Sequence, residues 1–267
     1  KHQYMYCTIK RKGLFGKENE KVVKVKIKHG FTNIPDRYKD KVVSIVIPEG
    51  IEKISSYSFS NCINLEKVSI PSTVYEIENE AFKGCTSLTS IVIPETVEKI
   101  GHSPFSGCSN LEVLKVERGN AVYDSREDCN AIIETATNTL VIGCNSTIVP
   151  EGITRIEESA FEGITNDKYI ILPASVQNIG KKAFYHARIK GINIPEGITR
   201  IEEYTFQWCE NLQKIQLPQT LKEIGYAAFS HCAFMDFVIP DSVTIINDYA
   251  FDCNNNLQTV TIGSGVR

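Results

Sequence analysis

The sequence predicts a solenoid, a stack of short coils sharing one core, and three observations carry that reading. Eight of the ten prolines are followed eleven residues later by a phenylalanine, from Pro48 and Phe59 through to Pro240 and Phe251. Consecutive units recur every 22 or 23 residues, with one interruption. Each unit also repeats the same apolar slots between its proline and its phenylalanine. A unit of that size cannot bury its apolar side alone, so the repeats become stable only when stacked.

The elements follow in chain order. Residues 1–41 lie outside the repeat. Val23 to Ile27 alternates apolar with polar residues, "YMYCTIKR" offers a matching partner, and an open solenoid end exposes unpaired strand edge. We therefore read 1–41 as a capping β-hairpin and 42–267 as the solenoid. Each solenoid unit opens with a short strand in which alternate residues are apolar, as in Val68-Ser69-Ile70. The proline ends the strand because it has no N–H to donate. An aliphatic residue comes three positions later (Ile51, Val74, Val97) and an isoleucine three positions after that (Ile54, Ile77, Ile100). The phenylalanine then plugs the core. A cysteine stands three residues beyond it (Cys62, Cys85, Cys108, Cys209, Cys232) and a leucine six beyond it (Leu65, Leu88, Leu111, Leu212, Leu257), while Cys253 falls one place early. Stacked coils hold equivalent side chains about 4.8 Å apart and parallel. The repeat cysteines are thus expected to be small buried hydrophobes rather than disulfides or zinc ligands.

Between Val116 and Pro150 the period fails, which predicts an enlarged coil with a hairpin insertion at about 117–147. Its strands are Ala131-Ile132-Ile133 and Leu140-Val141-Ile142, around Thr135 to Asn138. A turn centred on Ala136 and Thr137 sets Cys129 opposite Cys144, leaving open whether the two are bonded. Asp124, Glu127 and Asp128 lack the spacing of a calcium loop and are read as a solvated turn. Asp167 fills a slot that is leucine elsewhere, and a looser loop is expected there.

The repeat, aliphatic-x-aliphatic-P-x-x-V-x-x-I-x-x-x-A-F-x-x-C-x-x-L, resembles the BspA-like, treponemal-type class of leucine-rich repeats over about residues 42–267. The resemblance implies a right-handed, β-rich leucine-rich-repeat solenoid. Its parallel sheet would line the concave face, with short turns or 3-10 segments on the other side. It also implies a secreted or cell-surface location, in a family of microbial proteins that bind other macromolecules and include adhesins for host matrix proteins. No signal peptide is legible in the basic, polar start Lys1 to Lys12, and Gly263 to Arg267 reads as part of a further repeat. A longer parent protein is therefore expected.

Composition narrows the function classes. Apolar residues make up 42% and charged residues 23%, the balance of a core-forming protein. The formal net charge is −3 with both signs interspersed, so no face is suited to neutralising phosphates and nucleic acid is not an expected partner. No apolar run approaches the roughly 18 residues of a membrane-spanning helix. No nucleophile-elbow, zinc-protease, phosphate-loop or dinucleotide motif is present. The five histidines, at 2, 29, 102, 186 and 231, share no short motif with an acid or nucleophile. His186 and His231 stand two residues after a repeat phenylalanine and are read as turn-surface residues. No cofactor, metal or catalytic residue is expected, and the chain reads as a monomer that binds a protein or glycan.

The candidate binding face is the outward side of the strands. One outward row runs Val46, Ser69, Val92, Lys115, Ile148, Ile171, Asn193, Gln216 and Val238, with five aliphatics where a bland solvent face would be polar. The neighbouring row contributes Lys67, Tyr169 and Lys214. An apolar patch rimmed by such groups suits a protein-binding surface. Two rival readings stay open: a structural spacer, and a hydrolase using Cys129 or Cys144.

Overall fold

The computed structural model describes residues 3–12, 18–27 and 32–267; His2, His29 and the end of the "KVVKVKIKH" segment lie outside them. The chain forms two compact units, Lys1–Ser125 and Arg126–Arg267.

The first unit opens with β1 (Tyr4–Lys12) and β2 (Glu18–Lys26), which pair antiparallel from Tyr4 opposite Lys26 to Lys12 opposite Glu18. The other edge of β1 pairs antiparallel with β3 (Val42–Val46), the first strand of the coil stack. The hairpin thus covers the edge that β3 would otherwise expose. Met5, Cys7, Ile9, Val25 and Ile27 are buried, the alternation expected of strands with one covered side. A helical turn, Asp36–Lys39, precedes β3. The coil pattern reaches back beyond that turn. Ile34 donates its N–H to the Ser58 carbonyl at 3.1 Å, just as Phe59 donates to Ala81 at 2.8 Å, so Ile34 holds the place of a repeat phenylalanine.

Each coil has two strand edges. The longer strands lead into the prolines and pair in parallel: β3 with Lys67–Ser69, and Ser90–Ile93 with Val113–Val116. Across the coil, the isoleucine of each unit sits in a two-residue strand, and Lys53–Ile54, Glu76–Ile77 and Lys99–Ile100 form a second parallel ladder. The second unit repeats the plan. Tyr169–Ile170, Gly191–Asn193 and Lys214–Gln216 form one ladder, and Asp236–Ile239 pairs with Thr259–Ile262. On its other side, Arg200–Ile201, Glu223–Ile224 and Ile245–Ile246 run together.

Between these edges lies the phenylalanine file. In the first unit Phe59, Phe82 and Phe105 stack at centroid distances of 5.1 and 5.4 Å. In the second, Phe161, Phe184, Phe206, Phe229 and Phe251 stack at 5.0, 5.3, 5.4 and 5.6 Å. The repeat cysteines run beside them, and their identity has a specific cause. Cys85, Cys108, Cys209 and Cys232 each donate S–H to the carbonyl of the preceding coil's phenylalanine, at 3.0 to 3.2 Å. A small apolar residue with one weak donor fits that slot. In the last coil Asn254 takes over, its Nδ2 donating to the Phe229 carbonyl at 2.7 Å, which leaves the shifted Cys253 exposed.

The turn around each phenylalanine is a third ladder. Tyr57, Phe59 and Asn61 donate N–H to Asn79, Ala81 and Lys83 of the next coil, and Lys182, Phe184 and His186 to Glu203, Thr205 and Gln207. Donors two residues apart can all point the same way because the backbone is left-handed two places before and two places after the phenylalanine. At the later place Asn61, His186, Trp208, His231 and Cys253 have φ of 54–62°, and Gly84, Gly107 and Gly163 have φ of 70–74°. A non-glycine residue there costs roughly 1–2 kcal/mol, which the inter-coil bonds offset.

The enlarged coil contains the hairpin Ala131–Glu134 with Thr139–Gly143. A register shift between Ile132 and Ile133 sets Ala131 opposite Gly143. That bulge corrects one expectation, because it carries Cys144 alongside Asn130 instead of Cys129. The Cys144 thiol donates to the Asn130 carbonyl at 3.3 Å. Asp167 also departs from the expected loose loop. Its carboxylate accepts from Asn211 at 2.5 Å and lies 3.6 Å from Arg188, and its N–H donates to the Arg188 carbonyl. Polar ties replace the leucine packing at that slot.

Candidate functional site

The pleat places most of the candidate residues on the open side of the longer strands. In the first unit Val46 lies opposite Ser69, Ser44 opposite Lys67 and Val92 opposite Lys115; all but Ser44 are exposed. In the second, Tyr169, Gly191 and Lys214 form one outward row, Gln216 is exposed, and Val238 pairs with Thr261. Ile148 and Ile171 are more open than strand residues usually are, at 77% and 68%, because neither lies within a paired strand.

Asn193 differs from its neighbours in the row. It is half-buried, its Oδ1 accepts from the Leu172 N–H at 2.8 Å and its Nδ2 donates to the Leu172 carbonyl at 2.9 Å. Its amide acts as a substitute peptide group where the ladder beside Ile171 is broken, so it supports the face without presenting its polar atoms to a ligand.

Two features of the face are not legible from single residues. Tyr169 is 54% exposed, and its ring lies across Gly191: a Cβ on Gly191 would stand 2.5 and 2.6 Å from two ring carbons. The glycine is therefore what lets the ring lie along the strands. Beside it a groove of about 360 Å³ is lined by Ile148, Asn166, Lys168, Tyr169 and Ile171 among others. The equal offset of Tyr169 and Gly191 from their prolines was the available signal. The second feature is a ring stack on the turn side. His186, Trp208 and His231 all stand two residues after a phenylalanine, and Trp208 stacks on them at 5.6 and 3.6 Å. The histidines are turn residues as expected, but Trp208 belongs to the same file.

The chemistry of the remaining groups is quiet. Burial pushes the Cys7 thiol up to about 11 and the Cys62 thiol up to about 12. Cys85 is raised by its hydrogen bond with Cys108 and by burial, and Cys209 and Cys232 by burial. Thiols held in this way are poor nucleophiles, since the thiolate is the reactive form. Ser230 Oγ lies 2.8 Å from His231 Nδ1, but Ser230 is 2% exposed and the contact holds the ring within its stack. Among the described residues no three His, Cys, Asp or Glu side chains converge as metal ligands, and no helix is long and apolar enough to cross a membrane.

Comparison with known proteins agrees with this geometry. A family model described as the BspA type leucine rich repeat region matches in six copies, over residues 32–129 and 140–258. Among solved structures the chain is similar to a leucine rich cell surface protein from Faecalibacterium prausnitzii A2-165, with 28% identity and a TM-score of 0.71 over 84% of this chain and 60% of that one. It is also similar to the pneumococcal vaccine antigen PcpA, with 21% identity and a TM-score of 0.61 over 84% of this chain and 51% of that one. A leucine-rich repeat protein from Eubacterium ventriosum ATCC 27560 gives 16% identity and a TM-score of 0.54, covering 93% and 81%. The last two likenesses establish the fold alone. The chain spans less than two thirds of the first two proteins. No curated protein matches it. The fold is a leucine-rich-repeat solenoid of stacked parallel strands.

Proposed function

Because the chain belongs to the BspA-type leucine-rich-repeat family, we propose that it is a non-catalytic interaction module of a microbial cell surface, adhesin-like, binding host or matrix macromolecules through the open face of its longer strands. What supports this reading is a set of exposed aliphatics on or beside the longer strands, Val46 and Val92 in the first unit and Ile148, Ile171 and Val238 in the second. Solitary exposed aliphatics need no explanation, but within each unit they recur from coil to coil beside lysine or tyrosine, which is the composition of a contact surface. A surface location is supported by the description of the Faecalibacterium relative as a cell surface protein. The burial of Cys129 and Cys144 favours an interaction role over thiol hydrolysis.

The test is a panel of matrix proteins and a glycan array probed with the purified chain. Two variants accompany it, Val46→Asp with Val92→Asp, and Ile148→Asp with Ile171→Asp. The reading expects a bound partner whose affinity falls at least about tenfold in one or both variants, the scale of a lost apolar anchor. Capture that is indifferent to both variants would identify the strand face as inert and the chain as a spacer.

A further inference from the structure

One part of the strand face carries a charge pattern that the rest lacks. Lys168 and Lys190 are exposed and equivalent on adjacent coils, the Lys190 N–H donating to the Lys168 carbonyl at 2.9 Å, and Lys214, one place further along the next strand, is exposed and donates its N–H to the Lys190 carbonyl at 3.3 Å. None of the three pairs with a carboxylate among the described residues. Cations elsewhere on the coils do: Lys53 with Glu76 and Arg200 with Glu223 at the two-residue strands, and Lys181 with Glu203 in the turns. Asp167, next to Lys168 in the chain, is engaged with Arg188 and Asn211. Lys168 lines the groove beside the Tyr169 ring together with the exposed Ile148 and Ile171, Lys214 stands in the row of Tyr169 and Gly191, and Lys190 precedes Gly191 in the chain.

We propose that this patch is the docking point for an acidic protein segment that carries an aromatic or branched aliphatic side chain. The proposal rests on the strand-face reading above and names the chemistry of its partner. Both halves of the patch are needed to identify the occupant. Unpaired lysines on one edge attract any polyanion and give long-range steering but little selectivity. The two isoleucines and the tyrosine face add an apolar surface, which an oligosaccharide of uronic acids would leave largely unmatched and an anchoring side chain would cover. The anchor supplies affinity and the flanking carboxylates supply orientation, the usual division between the centre and the rim of a protein interface.

The experiment uses the full chain and labelled peptides read by fluorescence anisotropy. One peptide holds a phenylalanine within a run of Asp and Glu; a second replaces that phenylalanine with alanine; an oligouronate serves as competitor. The phenylalanine peptide is expected to bind, to weaken at least about tenfold in the alanine peptide and in Tyr169→Ala, and to weaken steeply between about 50 and 300 mM salt. Gly191→Val is expected to act like the loss of Tyr169, because its side chain displaces the ring. Should that variant fail to fold, Lys190→Glu with Lys214→Glu changes only exposed positions and is expected to abolish binding. Equal binding of the two peptides, oligouronate binding as tight as that of the phenylalanine peptide, or no peptide binding at all would overturn the proposal. The matrix panel separates this failure from the broader one. A partner lost on substituting Ile148 and Ile171 but unmoved by lysine reversal leaves the strand face as the binding surface and removes the acidic segment. A partner indifferent to every substitution removes both.

Discussion

At the scale of single residues, the fold is limited by left-handed backbone rather than by its core. Two places before each phenylalanine the chain must take positive φ, whatever residue stands there. Ser159 does so at 58°, and its buried hydroxyl has no hydrogen-bond partner among the described residues. The cost has two parts: about 1–2 kcal/mol for a side chain in that conformation and about 1–3 kcal/mol for the orphaned hydroxyl. Glycine removes both and adds back about 0.5–1 kcal/mol of chain entropy. Ser159→Gly is therefore expected to stabilise the protein by about 1–4 kcal/mol, read as a raised denaturant midpoint with unchanged slope. A lowered midpoint would mean that the hydroxyl or Cβ makes a contact of its own. Such positions were invisible in the sequence, because Tyr57, Glu80, Ser159 and Lys182 share no chemistry and only their common distance from the phenylalanine relates them.

At the scale of one coil, stability comes from neighbours on both sides. Phe184 lies between Phe161 and Phe206 and is fully buried, whereas Phe251 stacks on Phe229 and is only partly buried. Replacing Phe184 with alanine is expected to cost about 3–5 kcal/mol, and replacing Phe251 distinctly less. Equal small losses in chemical unfolding would show that the rings do not share a core. This level was the most legible one: the repeat spacing located the phenylalanine file, the aliphatic slots and the longer strands, while the two-residue strands at the isoleucines were not read from it. What stayed hidden depends on pairing register or on a neighbouring coil. The Cys144 register depends on a bulge in its own hairpin, Asn193 replaces a backbone rung of Leu172, and Tyr169 takes its orientation from a glycine in the next coil. Within the candidate face the outward row was readable from alternation. The bare lysines were not, since a charge is unpaired only by reference to residues a full coil away.

At the scale of the whole molecule, the repeated thiols combine into a property that none has alone. Burial holds Cys7 at about 11 and Cys62 at about 12 against an ordinary value of 9.0, and Cys85, Cys209 and Cys232 are raised in the same direction. An unfolded chain keeps none of these shifts. Below pH 9 both states are protonated and the thiols confer no pH dependence. Above it the unfolded chain loses protons that the folded chain retains, so stability falls as pH rises, until the folded thiols themselves ionise. Each such thiol contributes a slope of about 1.4 kcal/mol per pH unit in that window. The protein is expected to unfold in alkali more steeply than its lysines and tyrosines alone would cause. Chemical unfolding from pH 7 to about 10.5 in reducing buffer, compared between the native chain and Cys209→Ala, isolates the contribution. The variant is expected to start less stable, having lost the S–H bond to the Phe184 carbonyl, yet to decline less steeply above pH 9 by the share of one thiol. Parallel declines in the two proteins would place the thiols outside the proton balance of folding and leave their burial a matter of packing alone.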